Sequence, residues 1–235
     1  MRRGVSQEQY VLKVGSGDHS GAGADSVVRQ AEAMTATIAP LFVLASASPA
    51  RLATLRNAGL DPQVVVSGVD EEQVVGLAPA DLALRLAEMK CAAVAPSVTA
   101  GALVLGCDSV LELDGEPLGK PGVPEEAIRR WQAMRGRSGV LHTGHSLRIA
   151  GTDEVVSALA STVVHFADPS DEEIAAYVAT GEPLHVAGAF TVDGLGGCFV
   201  TGIEGDHHNV VGVSLPLLRE LTAALGRRWT DLWVR

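Results

Sequence analysis

The hydrophobic pattern of the chain changes near residue 40. Up to that point polar residues are scattered around Gly15-Ser16-Gly17 and Gly21-Ala22-Gly23 without a sustained apolar period, which predicts a disordered N-terminal extension over residues 1–40. Met34 offers an alternative start inside it. From Leu41 onward short apolar runs alternate with amphipathic stretches, the pattern of an α/β chain. Residues 41–45 read as a buried strand. Residues 49–58 read as a helix with Ser48 at its N-cap, Pro49 at its first position and Gly59 just past its end. Residues 63–66 predict a second strand, and 81–93 a helix with Leu82, Leu86, Met89 and Ala93 on one face and Lys90 beside it. A strand over 103–111 leads to Asp114-Gly115, a hairpin turn. A helix over 125–135 follows Pro124. Two β stretches, 140–149 and 155–166, then flank a turn at Gly151-Thr152-Asp153 and predict an antiparallel ribbon. Ser170-Asp171-Glu172-Glu173 is a capping box for a helix ending at Gly181, and Leu217, Leu218, Leu221 and Leu225 mark a last amphipathic helix.

Composition sharpens this outline. With 235 residues, 47% of them hydrophobic, the chain has enough apolar mass for a core of its own, and residues 41–235 are assigned to a single domain. Lys+Arg 18 against Asp+Glu 28 leaves a net charge of −10, which argues against a nucleic-acid polymer as partner; a small anion needs only a local basic pocket. Cys91, Cys107 and Cys198 are odd in number and form no CxxC pair, so they read as reduced core thiols of a cytoplasmic protein. No apolar run approaches the roughly 18 residues of a membrane helix, and Arg2-Arg3 is not followed by the apolar stretch of a signal peptide. No membrane partner is expected.

Three features carry candidate chemistry. In Ser46-Ala47-Ser48-Pro49-Ala50-Arg51 a helix starts directly after a strand, where free backbone N–H groups and the positive dipole end suit an anion. Two hydroxyls and Arg51 add donors; the alternative is an ordinary capped helix with a surface arginine. Lysines number only three, Lys13, Lys90 and Lys120, and the last two fall near predicted turns, as phosphate contacts or as solvated surface charges. Asp108 is a carboxylate inside an apolar strand, which costs several kcal/mol unless it meets a metal, a cation or hydrogen bonds. It marks a site, or else it caps a turn or pairs with an arginine. Asp70-Glu71-Glu72 supplies carboxylates that would share a divalent cation with Asp108, and hard oxygen ligands suit Mg²⁺ or Mn²⁺. His142 and His145 fall on opposite faces if they lie in a strand. With His207 and His208 they read as loop or strand-end residues, without the convergent third ligand of a zinc site. Neither a P-loop nor a G-x-G-x-x-G fingerprint occurs.

Taken in order, these residues resemble the Maf proteins, nucleotide pyrophosphatases once discussed as septum-formation inhibitors. The resemblance spans about residues 41–225. It rests on Leu44-Ala45-Ser46-Ala47-Ser48-Pro49 with Arg51, Gly68-Val69-Asp70-Glu71, Lys90, Gly106-Cys107-Asp108-Ser109, Gly115-Glu116-Pro117-Leu118-Gly119-Lys120-Pro121, Thr180-Gly181-Glu182-Pro183, Ala187-Gly188-Ala189-Phe190 and Asn209-Val210-Val211-Gly212. It implies an elongated α/β fold of the Maf and inosine-triphosphatase type, with a mixed curved sheet, flanking helices, two lobes around a central cleft, and a homodimer. It also implies hydrolysis of a nucleoside triphosphate to monophosphate and pyrophosphate. Asp108 is then the proton acceptor, Ser46, Ser48 and Arg51 the phosphate loop, Lys90 and Lys120 further substrate contacts, and Glu71 with Asp108 the holders of Mg²⁺ or Mn²⁺.

This chain departs from the pattern at Ala50, Ser109 and Asp193, where the family commonly has Arg, Thr and, in its thymidine and uridine branch, Gln. Substrate choice is therefore assigned to these positions. Pyrimidine, modified and non-canonical nucleotides are the expected substrates. His185-Val186 also stands where an Asp-Lys pair is usual. With Ala50, that loss motivates the alternative of a nucleotide-binding regulator of cell division with little turnover.

Overall fold

The structure, a computed structural model, describes residues 41–234 and the backbone of Lys13 and Val14. The rest of the expected extension, Met34 included, lies outside the described residues. The elements run β1 (Lys13–Val14), β2 (Phe42–Leu44), α1 (Pro49–Asn57), β3 (Gln63–Val64), α2 (Pro79–Val94), β4 (Leu103–Leu113) and β5 (Glu116–Leu118). They continue with α3 (Pro124–Met134), β6 (Ser138–Ile149), β7 (Val155–Phe166), α4 (Asp171–Ala179), β8 (Val200–Glu204), α5 (His207–Val211) and α6 (Leu215–Ala224). Local chemistry explains the boundaries. Ser48 caps α1 by accepting the Arg51 N–H, Pro49 opens the helix, and both arms of the Ser170/Glu173 capping box form at α4. Asp114 and Gly115 both take positive φ, 56° and 83°, the pair of values a two-residue hairpin turn needs between β4 and β5.

The strands form one mixed sheet in the order β1-β7-β6-β4-β2-β3, with β5 also on β4 and β8 also on β7. β2 runs parallel to both β3 and β4, and the other pairings are antiparallel. The expected α/β class and mixed sheet are what the chain forms. Strand β3 is shorter than expected, because Gln63 and Val64 pair only with β2 at the sheet's outer edge and both are exposed. β4 outruns its neighbour: the register with β2 ends at Leu44↔Leu105, and that with β5 begins at Leu111↔Leu118. Leu103 and Leu105 direct their backbone groups to the β2 side, so by alternation those of Cys107 and Ser109 lie on the edge left open between β2 and β5.

Helices cover both faces. On one face, Leu103, Leu105, Cys107, Leu147 and Ala158 pack under α1 and α6, while farther along the same strands Leu111, Leu141, Val164 and Phe166 pack with Trp131 of α3 and Tyr177 of α4. Between these two cores the strand positions turn polar, at Ser109, Thr143 and Thr162.

α2 covers the opposite face, and here the expected apolar face is corrected. Helix α2 buries Ala83, Leu86, Ala87, Lys90, Cys91 and Val94, whereas Leu82 and Met89 are half-buried and Ala93 is exposed. The reason lies in the sheet beneath. A Cβ added at Gly106 would stand 2.2 Å from the Ala87 carbonyl oxygen, and one added at Gly144 2.2 Å from that of Ala83. Two glycines let the helix backbone lie directly on the strands, so its small residues go inward. That rotation carries Lys90 to the buried face. The thiols need one correction too: Cys91 and Cys107 are buried as expected, but Cys198 is exposed, its side chain lying in the short 3₁₀ turn Leu195–Phe199 rather than in a core element.

Candidate active site

A cleft of about 810 Å³ opens at the carboxyl end of β2, where the chain turns into α1 and the edge of β4 is free. Its volume suits a drug-sized ligand or a nucleotide. Every residue assigned to the site from sequence lines it: Ser46, Ser48, Ala50, Arg51, Glu71, Lys90, Asp108, Ser109, Lys120 and Asp193. His185 and Val186 line it as well. Successive residues of a strand point to opposite faces, so Asp108 faces α2 while Ser109 faces α1 and α5. Both reach one cleft because it wraps around the open edge of β4.

On the α2 side, the buried Lys90 ammonium sits 2.5 Å from Asp108 Oδ1 and 2.7 Å from Glu71 Oε1. The cost of burying Asp108 in an apolar strand is thus offset by a cation, supplied by a lysine on α2 rather than an arginine. Burial alone would raise the Glu71 pKa, but the hydrogen bond and charge of Lys90, with Lys120 and Arg51 farther off, hold it below the usual range. Glu71 is presented by a short 3₁₀ turn whose cap is Asp70, accepting the Glu72 N–H at 3.2 Å.

On the other side, Arg51 is buried and spends its guanidinium on the protein. Its Nε donates to the Gly212 carbonyl at 2.7 Å, Nη1 to Ser46 Oγ at 3.0 Å and Nη2 to Ser109 Oγ at 2.9 Å. The free helix N-terminus expected at α1 is largely satisfied internally. Ser46 Oγ accepts the Ser48 N–H, Ser48 Oγ accepts the Arg51 N–H, and Pro49 has none to offer. The hydroxyls change role as a result. Ser46 Oγ already accepts two hydrogen bonds, so what remains is its own O–H, a donor for the cleft. Ser109 differs: Thr143 donates its hydrogen to the Asn209 carbonyl, so in the 3.0 Å contact between the two hydroxyls Ser109 is the donor. Its proton is committed inward.

Several of these partners were invisible to sequence reasoning. Gly212, Asn209 and Thr143 fix Arg51 and Ser109, and the available signal was a pair of polar residues, Thr143 and His145, between Leu141 and Leu147 on one face of the strand. The histidines are corrected: His142 and His145 lie inside β6, not at its end, though on opposite faces as expected, and His207 and His208 form the first turn of α5. His142 bonds Ser161 and Glu112, and His145 accepts the Ser214 N–H at Nε2 while its Nδ1 contacts the Thr143 carbonyl. Burial pushes the His145 imidazole down to about 3, so it is neutral and serves as a fixed strut under the segment that carries Gly212. Burial likewise pushes the Cys107 thiol up to about 12, which removes the thiolate a nucleophile next to Asp108 would need.

Fold and cleft together define an α/β protein with its cleft at the carboxyl end of parallel strands, the place where open sheets of this kind hold ligands. The chain belongs to the family described as Maf-like protein, whose model matches residues 41–225. A nucleoside triphosphate pyrophosphatase of Streptomyces coelicolor is 63% identical over 194 residues, covering 82% of this chain and 94% of the relative. Relatives carrying the same description in Streptomyces avermitilis and Salinispora tropica are 61% and 56% identical, over 82% and 86% of this chain and 94% and 91% of their own lengths.

Proposed function

We propose that the chain hydrolyses a nucleoside triphosphate to monophosphate and pyrophosphate, acting on pyrimidine, modified or non-canonical nucleotides. The observation that carries this reading is the convergence of Asp108 and Glu71 on one side of the β4 edge with Ser46, Ser48 and Arg51 on the other, in a chain whose relatives are described as such pyrophosphatases. Water attacks the α-phosphorus and gives its proton to Asp108, while the bond to the bridging oxygen breaks and pyrophosphate leaves with the electron pair. Ser46 and Ser48 donate their O–H groups to phosphate oxygens, and Lys120 and Arg51 offset charge on the departing pyrophosphate. Lys90 holds the two carboxylates at a fixed separation.

The charge count supports a divalent cation. Arg51, Lys90 and Lys120 face Glu71, Glu72, Asp108 and Asp193 around the cleft, so its walls carry no net positive charge to meet a triphosphate. Among the described residues no group of three His, Cys, Asp or Glu side chains stands ready as a cage. Two converging carboxylates fit the pattern in which Mg²⁺ or Mn²⁺ is shared between one or two acids and the substrate's own phosphates. When bound by Glu71 and Asp108, the ion supplies neutralisation of phosphate oxygens.

A panel of canonical, methylated and deaminated triphosphates, read for pyrophosphate against phosphate, tests the reading. Pyrophosphate release with Mg²⁺ or Mn²⁺, abolished by a chelator, is the expected result. Release of single phosphates overturns the cleavage position, and tight binding without turnover on any substrate makes the chain a nucleotide-binding regulator instead.

A homodimer in the cytoplasm belongs to the same proposal. Val64 on the edge strand β3, and Val75 and Leu77 in the segment ahead of α2, are exposed and offer apolar surface for a second copy to cover. Sedimentation equilibrium is expected to give twice the 24.3 kDa chain mass, and a monomer at all concentrations removes the dimer. Among the described residues no helix is long and apolar enough to cross a membrane.

A further inference from the structure

Glu182 lies outside the cleft lining, yet its carboxylate is among the most heavily bonded of the described residues. It follows Gly181, whose φ of 78° turns the chain out of the end of α4, and opens the 3₁₀ turn Glu182–His185. Four donors converge on it. Tyr177 Oη reaches Oε1 at 3.0 Å, Thr191 Oγ1 donates to the same oxygen, and the backbone N–H groups of Leu195 and Gly196 arrive at 3.0 Å each. Tyr177 Oη also accepts the Thr191 N–H at 3.3 Å. Burial pushes the Glu182 carboxyl up, but these hydrogen bonds outweigh it and keep the group ionised. Burial pushes the Tyr177 phenol up as well, so it stays a donor.

The two ends of segment 191–196 are therefore tied to a single anion, and the residues between them form a closed loop. Packing shows how tightly. A Cβ at Gly194 would lie 2.7 Å from Thr191 Oγ1 and 2.8 Å from Glu182 Oε2, and one at Gly196 only 2.4 Å from Tyr177 Oη. The tip of this loop carries Val192 and Asp193, and both line the cleft. Neither makes a side-chain hydrogen bond or ion pair among the described residues that would hold the tip from the cleft side. What fixes the tip is the carboxylate behind it. Charge-assisted bonds of this kind are short, directional and roughly twice as strong as neutral ones, which suits a role in placing a loop.

We propose that Glu182 is a positioning residue for substrate selectivity: by holding Thr191, Leu195 and Gly196 it fixes Val192 and Asp193 against the part of the nucleotide that distinguishes one substrate from another. The proposal rests on the pyrophosphatase reading for its substrates, but the loop placement itself does not depend on turnover. The chemistry of cleavage sits at Asp108 and Glu71, with no bond to this network.

The test uses the full chain with Glu182→Ala, Glu182→Gln and the milder Thr191→Val, which removes one donor and keeps the carboxylate. Amide hydrogen exchange reads the loop directly: the Leu195 and Gly196 amides are expected to lose protection in Glu182→Ala and the effect to extend to Val192 and Asp193. In parallel, the ratio of kcat/KM between the best and worst triphosphates is expected to fall at least about tenfold in Glu182→Ala, with kcat on the best substrate within about threefold of the unaltered protein. Glu182→Gln and Thr191→Val are expected to fall between. A purely structural role lowers the melting temperature and depresses all substrates equally; an unchanged ratio in a folded variant, or unchanged exchange, overturns the proposal. If the unaltered protein turns over no triphosphate, the pyrophosphatase reading fails alone, and the same ratio is read from calorimetric Kd values for the nucleotides. Should Glu182→Ala not fold, Glu182→Gln, which keeps the side-chain volume and lies outside the cleft lining, carries the test with the same two readouts.

Discussion

Asp108→Asn is expected to lower kcat for pyrophosphate release by about 10²–10⁴-fold, the range ascribed to a positioned general base. The change keeps the volume of the side chain and one oxygen that accepts from Lys90, so the fold should survive it. What disappears is the negative charge and the lone pair that takes the proton. With Asp108 neutral, Lys90 retains Glu71 at 2.7 Å as its counter-charge, and no buried ammonium is stranded. Rate at saturating substrate, measured beside a thermal melt, separates the two effects: a lost rate with an unchanged melting temperature is the expected outcome. Full activity removes Asp108 from the chemistry.

The second large effect concerns stability. Gly144→Ala places a Cβ 2.2 Å from the Ala83 carbonyl oxygen and 2.6 Å from the Leu84 Cα, all backbone atoms that no rotamer change can clear. α2 must lift from the sheet, at a cost of about 1–3 kcal/mol or more by analogy with other overpacked cores. In a chain of this size the melting temperature falls by about 2–4 °C for each kcal/mol. Gly119→Ala is the control, since nothing lies within 4 Å of the added carbon. Differential scanning calorimetry is expected to show a drop for Gly144→Ala and little change for Gly119→Ala. Equal melting temperatures would mean that α2 is free to slide, which its buried contacts argue against. Because Lys90 rides on the same helix, the Gly144 variant should also lose activity beyond its loss of stability.

Much of the fold was legible because it is written in local chemistry. Ser48-Pro49, Asp114-Gly115 and Ser170 through Glu173 each specify a boundary through their own backbone preferences and short-range hydrogen bonds, and each boundary stands where those preferences put it. The α2 face was not legible, since a hydrophobic stripe is weighed by side-chain size. Gly106 and Gly144, distant in sequence, invert that weighting by inviting the smallest residues to the sheet. At the site, Asp108 announced itself as a charge in an apolar strand, and the convergence of Ser46, Arg51, Lys90 and Lys120 around it followed the resemblance. Their individual roles did not show. That Ser109 commits its proton to Thr143, and that Arg51 is held by Gly212 from a segment 161 residues away, depends on tertiary contacts that no local pattern encodes.

The brevity of β2 acquires a meaning from this arrangement. Three residues long, it stops at Leu44, and the Ser46 to Pro49 turn swings the chain out of the sheet before Cys107 and Ser109 can be paired. A β2 longer by a few residues would be a better strand, with more ladder bonds and a smoother sheet, and it would zip the edge of β4 shut along the line where Asp108 and Ser109 come within reach of one ligand. In this protein an unfinished sheet is the aperture, and the length at which a strand stops is as much a part of the active site as any side chain in it.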